Sequence, residues 1–169
     1  FPPWINKFYI LDLQPQNSMI RWLSAQGFTV FVCSWVNPDK DKAAWGFDEY
    51  LEKGIYRATE KVMEQCGTDR LNTVGYCIGG TLMGAALAHM AAKGDKIDLT
   101  RVTIPLYFQA SREDHIAPVN SVYRSARAFT NADVTLTLAG SGHIAGVINP
   151  PSANKYQHWT NTALPPTLA

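Results

Sequence analysis

The sequence has few of the features that announce a partner. Its 169 residues carry 15 Lys and Arg against 14 Asp and Glu, a formal net charge of +1 with no basic or acidic run. That balance points away from nucleic acid and from a strongly acidic partner. Cysteine is scarce and odd in number: Cys33, Cys66 and Cys77. Three thiols without regular spacing make neither a disulfide framework nor a zinc site, and they fit a reducing cytoplasm. The four histidines are scattered without paired carboxylates or thiols, so no metal and no organic cofactor is expected. Long apolar runs are missing too. The two longest mostly apolar stretches, 28–36 and 81–92, fall far short of the roughly 20 residues a membrane helix needs. There are no repeats and no low-complexity linker. The opening Phe1-Pro2-Pro3-Trp4 has neither a methionine nor a charged n-region, which reads as a fragment or excised domain without a signal peptide.

What is present is enough for one core. A 46% hydrophobic share over this length predicts a single domain spanning 1–169. Apolar spacing predicts a short helix over 17–26, with Met19, Ile20, Trp22 and Leu23 on one face and Gly27 ending it. Residues 28–36 are near-continuously apolar, the pattern of a central parallel strand buried on both faces. Residues 47–65 have helical periodicity, with Tyr50, Leu51, Ile55, Ala58, Val62 and Met63 near one face. Strands follow at 71–74, 104–110 and 134–138, with helices over 81–88 and 121–130. Alternating strands and helices predict an α/β fold with a mostly parallel sheet flanked by helices.

Gly75-Tyr76-Cys77-Ile78-Gly79 is the most informative segment. It has the G-x-S-x-G form of a nucleophile elbow, with cysteine in the serine position, between a buried strand and an apolar helix. Side chains at the flanking glycines would clash with the neighbouring strand and helix. A nucleophile at a helix N-terminus sits where the dipole and free amides favour an anion. Cys33, within an apolar strand pattern, and Cys66, at the end of a helical run, read as structural.

Two further residues complete the order nucleophile, acid, base. Asp114 follows the strand 104–110, and His143 follows the strand 134–138 inside Gly140-Ser141-Gly142-His143. Each stands just past the C-terminal end of a strand, where open α/β sheets place their sites. A cysteine needs a base to become a thiolate, and the imidazole needs an orienting carboxylate. Glu113 is the alternative acid. His115 reads as a surface residue, His89 as a helix-face residue, and His158 lies in an unpatterned tail. Ile78 N–H is the first oxyanion donor; Trp4 or Ile5 N–H, in the aromatic opening segment, is the candidate for the second.

The residues resemble a known family. Pro2-Pro3-Trp4-Ile5-Asn6-Lys7-Phe8-Tyr9-Ile10-Leu11-Asp12-Leu13, Val32-Cys33-Ser34-Trp35-Val36-Asn37-Pro38, Gly75-Tyr76-Cys77-Ile78-Gly79-Gly80-Thr81, Arg112-Glu113-Asp114-His115-Ile116-Ala117-Pro118 and the run from Gly140 to Pro151 occur in family order over nearly the whole chain. The sequence is similar to the catalytic core of a polyhydroxyalkanoate synthase, most like the class I, short-chain type. The resemblance implies an α/β-hydrolase-type core and an acyltransferase that polymerises (R)-3-hydroxyacyl-CoA thioesters into polyester with release of CoA. It implies Cys77 as the acyl-bearing nucleophile and His143 as its base. Asp114 would orient His143 and help activate the 3-hydroxyl that attacks the next thioester. CoA enters as part of the substrate. The resemblance further implies a homodimer and a cytoplasmic location at polyester granules.

The sequence also departs from the family pattern. Members carry a large insertion between the elbow helix and the strand leading to the acid, whereas here Lys93-Gly94-Asp95-Lys96-Ile97 runs straight into Asp98-Leu99-Thr100. The cap is therefore expected to be missing, along with a core strand and helix, the N-terminal domain and the C-terminal tail. Either the strand 104–110 slides by one strand spacing, about 4.8 Å, to pair with 71–76, or the slot stays empty and an edge is exposed. Without a cap, two alternatives accompany the synthase: a thioesterase or esterase, and an inactive module that only associates with a full-length synthase.

Overall fold

The computed structural model describes residues 1–92 and 97–167, which form a mixed α/β architecture. A short antiparallel hairpin, β1 (Asp12–Gln14) and β2 (Asn17–Ser18), leads into α1 (Met19–Ala25). Ser18 caps α1 by accepting from Arg21 N–H at 2.9 Å, which satisfies one of the helix's free amides. The helical region of 47–66 comprises α2 (Phe47–Glu49), a π-helical stretch (Tyr50–Tyr56) and α3 (Arg57–Cys66). Gly67 then ends it in the left-handed conformation, at φ 61°. The π-helical stretch passes Trp35 so closely that a Cβ on Gly54 would lie 2.8 Å from the indole.

α4 (Ile78–Ala91) is apolar all round, and the packing explains why. Leu82, Met83 and Ala86 meet Leu51 and Ile55 in one cluster. Ala88 joins Val102, Ala126, Phe129 and Val134 in another. The helix is thus sandwiched between the 47–66 helices and the sheet layer. That layer is built from β3 (Leu106–Ser111), α5 (Val119–Arg127) and β4 (Val134–Ala139), a βαβ unit whose strands pair in parallel from Leu106↔Val134 to Ser111↔Ala139. β5 (His158–Asn161) adds antiparallel to β4, giving the order β3-β4-β5. The short helix α6 (Ala145–Ile148) lies between β4 and β5 in the chain.

Three expectations are corrected. Residues 28–36 form no strand, and Phe28, Phe31 and Val36 are exposed. Residues 71–74 form no strand either. A strand needs at least one neighbour to pair with, and neither segment has a strand beside it among the described residues. The opening residues take up part of that role: Phe1 donates to Val74 C=O at 2.7 Å and Tyr76 N–H donates to Phe1 C=O at 3.0 Å. Finally, the three-stranded sheet is mixed rather than mostly parallel. β3 has only β4 as a partner among the described residues, so the slot beside it stays open. The expected junction at Lys93-Gly94-Asp95-Lys96 lies outside the described residues. No described helix is long and apolar enough to cross a membrane.

Candidate active site

Cys77 stands at the turn into α4 with φ 58° and ψ −127°, a backbone conformation that L-residues rarely adopt. The turn is held by Gly79 N–H donating to Tyr76 C=O at 3.0 Å and Gly80 N–H donating to Cys77 C=O at 2.9 Å. Ile78 N–H, the first of the helix, donates to none of these carbonyls, as the geometry of a helix N-terminus requires. The elbow is tightly fitted. A Cβ on Gly79 would fall 2.2 Å from the Phe1 carbonyl oxygen, and one on Gly75 would fall 2.6 Å from that of Gly79.

Asp114 and His143 come from the loops after β3 and β4, so the parallel pairing of those strands brings them to the same end of the sheet. Arg112 N–H to Ala139 C=O at 2.8 Å and Glu113 N–H to Ser141 C=O at 2.9 Å carry the pairing into the loops. Asp114 Oδ1 accepts from Ile116 N–H at 2.8 Å and Ala117 N–H at 2.9 Å, which fixes the carboxylate. Its Oδ2 lies 2.6 Å from His143 Nδ1. Only 8% of the His143 side chain and 6% of the Asp114 side chain are exposed, so the contact is shielded from water. Burial pushes the Asp114 carboxyl up. The Ala117 N–H, the His143 ring and the Ile116 N–H outweigh burial and hold it below the usual 3.8.

The elbow and the histidine loop share one apolar cluster. Ile10, Leu11 and Tyr76 are its buried members, with Cys77, Ile144 and Val147 packed against them. Among the described residues, no hydrogen bond joins Cys77 Sγ to His143. Such bonds often close only when substrate is bound. Tyr76 bridges the two parts: its hydroxyl donates to His143 C=O at 2.9 Å, and its ring stacks on the imidazole at 5.3 Å between centroids. Nothing in the sequence signalled Tyr76, which occupies a free position of the elbow motif.

The other candidates separate. Trp4 packs against Tyr50, with ring centroids 4.6 Å apart, where the 50–56 π-helical stretch meets α4, and its indole N–H is buried without a partner among the described residues. Ile5 is 86% exposed and packs in none of the core clusters. Asp114, rather than Glu113, meets the histidine. His115 is exposed, His158 lies on β5, and His89 Nδ1 is 2.6 Å from the Tyr56 hydroxyl. Among the described residues, no three His, Cys, Asp or Glu side chains are grouped to hold a metal ion.

The family profile described as "Poly-beta-hydroxybutyrate polymerase (PhaC) N-terminus" matches residues 1–23. The "Poly(3-hydroxyalkanoate) polymerase subunit PhaC" of Rhizobium meliloti is 30% identical over 280 aligned positions, covering 96% of this chain and 46% of that protein. The protein of the same name from Rhizobium etli is 31% identical, covering 94% of this chain and 43% of its own length. The Cupriavidus necator protein is 28% identical, covering 97% and 49%. The chain thus spans about half the length of the curated relatives it matches. An alignment of 280 positions on a chain of 169 residues also means that the relative has more than a hundred residues with no counterpart here.

Proposed function

We propose that this chain, which belongs to the poly(3-hydroxyalkanoate) polymerase family, is an acyltransferase core that joins (R)-3-hydroxyacyl units from CoA thioesters into polyester. The reading includes an α/β-hydrolase-like fold and a Cys77-His143-Asp114 triad. The observation that carries it is the buried 2.6 Å contact between Asp114 and His143, beside a cysteine held at φ 58°.

In this reading the Cys77 thiol gives its proton to His143 Nε2, and the thiolate attacks the thioester carbonyl of the substrate. Ile78 N–H, with Trp4 or Ile5 N–H, would hold the oxyanion. The C–S bond to CoA breaks, the leaving thiolate takes the proton from the imidazolium, and the acyl group rests on Cys77. His143 then accepts the proton of a second unit's 3-hydroxyl, whose oxygen attacks the acyl-Cys77 thioester. A new ester bond forms and Cys77 is released as the thiolate. Asp114 keeps the Nδ1 proton of His143 in place, so that Nε2 is the nitrogen that exchanges protons. Cysteine suits the task because the acyl thioester stays reactive toward the incoming hydroxyl. The partners are the CoA thioester, the growing polyester, a second copy of the chain and a granule surface in the cytoplasm.

A second reading is favoured by the relatives' hundred or more residues without counterpart. A site with less cover admits water, and hydrolysis then replaces chain transfer. Loss of thioester absorbance from (R)-3-hydroxybutyryl-CoA, followed by product sizing, tests both. Polymer or oligomer supports the synthase, and free hydroxy acid supports the hydrolase. A folded chain with no turnover contradicts both and leaves an associating module.

A further inference from the structure

The candidate triad lies on three separate loops, and one side chain ties two of them together. Tyr76 is bonded covalently to Cys77, and its backbone N–H is anchored on Phe1 C=O at 3.0 Å. Its ring is buried with Ile10 and Leu11. From this fixed base the hydroxyl reaches the histidine loop and donates to His143 C=O at 2.9 Å, while the ring lies over the imidazole at 29° between planes. Asp114 restrains the Nδ1 edge of the same imidazole at 2.6 Å. His143 is therefore held at two points, its ring edge by Asp114 and its backbone by Tyr76.

We infer that Tyr76 is a positioning residue that sets His143 against Cys77, by coupling the histidine loop to the elbow. The inference rests on the triad reading above and adds a residue to it. Two features suit tyrosine. A phenylalanine would keep the stack but leave the His143 carbonyl without this donor. The phenol also stays protonated: burial, then the charges of Cys77 and Asp114, push its ionisation well above the ordinary tyrosine value. The titratable groups facing it are Cys77 on its own turn, Asp114 after β3 and His143 after β4.

The test is the pH profile of Cys77 alkylation by iodoacetamide, with peptide mapping to separate Cys77 from Cys33 and Cys66. Four chains are compared: wild type, Tyr76→Phe, His143→Ala and the double variant. Tyr76→Phe is expected to slow Cys77 alkylation at pH 7 about fivefold, the size of one ordinary hydrogen bond. In the His143→Ala background the same change should do nothing further, because the residue acts through the histidine. An unchanged profile in Tyr76→Phe, or equal slowing in both backgrounds, overturns the inference and leaves Tyr76 a packing residue. If His143→Ala alone leaves the profile of Cys77 unchanged, the triad reading itself fails and takes the inference with it.

Discussion

Asp114 Oδ2 and His143 Nδ1 lie 2.6 Å apart at the C-terminal ends of two adjacent parallel strands, with both side chains more than nine-tenths buried. The pairing of Ser111 with Ala139 at the ends of those strands sets the distance the two loops must span. The contact is thus a product of strand register, and changes to either partner have calculable consequences.

Asp114→Asn keeps an acceptor for the Ile116 and Ala117 amides but removes the charge facing Nδ1. The histidine then loses its preferred tautomer. Thioester turnover is expected to fall by about two to four orders of magnitude with the fold retained, as judged by circular dichroism beside the rate. A variant with near wild-type turnover would contradict an orienting role for Asp114.

The same carboxyl makes stability depend on pH. Its folded value lies below the unfolded 3.8, so its contribution is present above pH 3.8 and is lost as pH falls through the folded value. Urea midpoints measured from pH 6 down to pH 2.5 should fall more steeply for wild type than for Asp114→Asn. Parallel curves would argue against a depressed carboxyl.

Two glycines on α4 should respond in opposite directions. Gly79→Ala places a methyl 2.2 Å from the Phe1 carbonyl oxygen, and is expected to destabilise the chain by about 1–3 kcal/mol. Gly84→Ala places one 3.5 Å from Phe129 Cζ, an ordinary contact, and is expected to add about 0.5–1 kcal/mol of helix stability. Thermal melts of the two variants give the comparison; similar shifts in both would mean that Phe1 does not close on the elbow.

Among the described residues β3 has one unpaired edge, with Tyr107 63% exposed and Ile104, just before the strand, 48% exposed. Open apolar edges pair with other chains. Light scattering is expected to show association that grows with protein concentration and falls in Tyr107→Lys. Concentration-independent monomer for wild type would be the opposite result.

The sequence carried the helices and the βαβ unit well, because their patterns depend on local spacing. The 47–66 helices, α4, β3, α5 and β4 all lie within a few residues of where periodicity put them. The apolar run at 28–36 has a strand's composition, but composition does not supply neighbours: Phe28, Phe31, Val32 and Val36 remain exposed, and only Trp35 of the run packs on the helical core cluster. β5 was missed for the converse reason. His158-Trp159-Thr160-Asn161 has no apolar alternation, and it is held by its ladder to β4 and by the Thr137–Thr160 hydroxyl pair at 2.7 Å. At the candidate site the motif and chain order picked out Cys77, Asp114 and His143. They could not reveal Tyr76, whose role depends on a loop 67 residues away in sequence.

Cys77 as the acyl-bearing nucleophile is best tested by intact-mass analysis of the chain after brief mixing with (R)-3-hydroxybutyryl-CoA. The expected product is a hydroxybutyryl adduct that maps to the peptide containing Cys77, is labile to hydroxylamine and is absent from Cys77→Ala. An adduct on Cys33 or Cys66, or one that persists in Cys77→Ala, would contradict it.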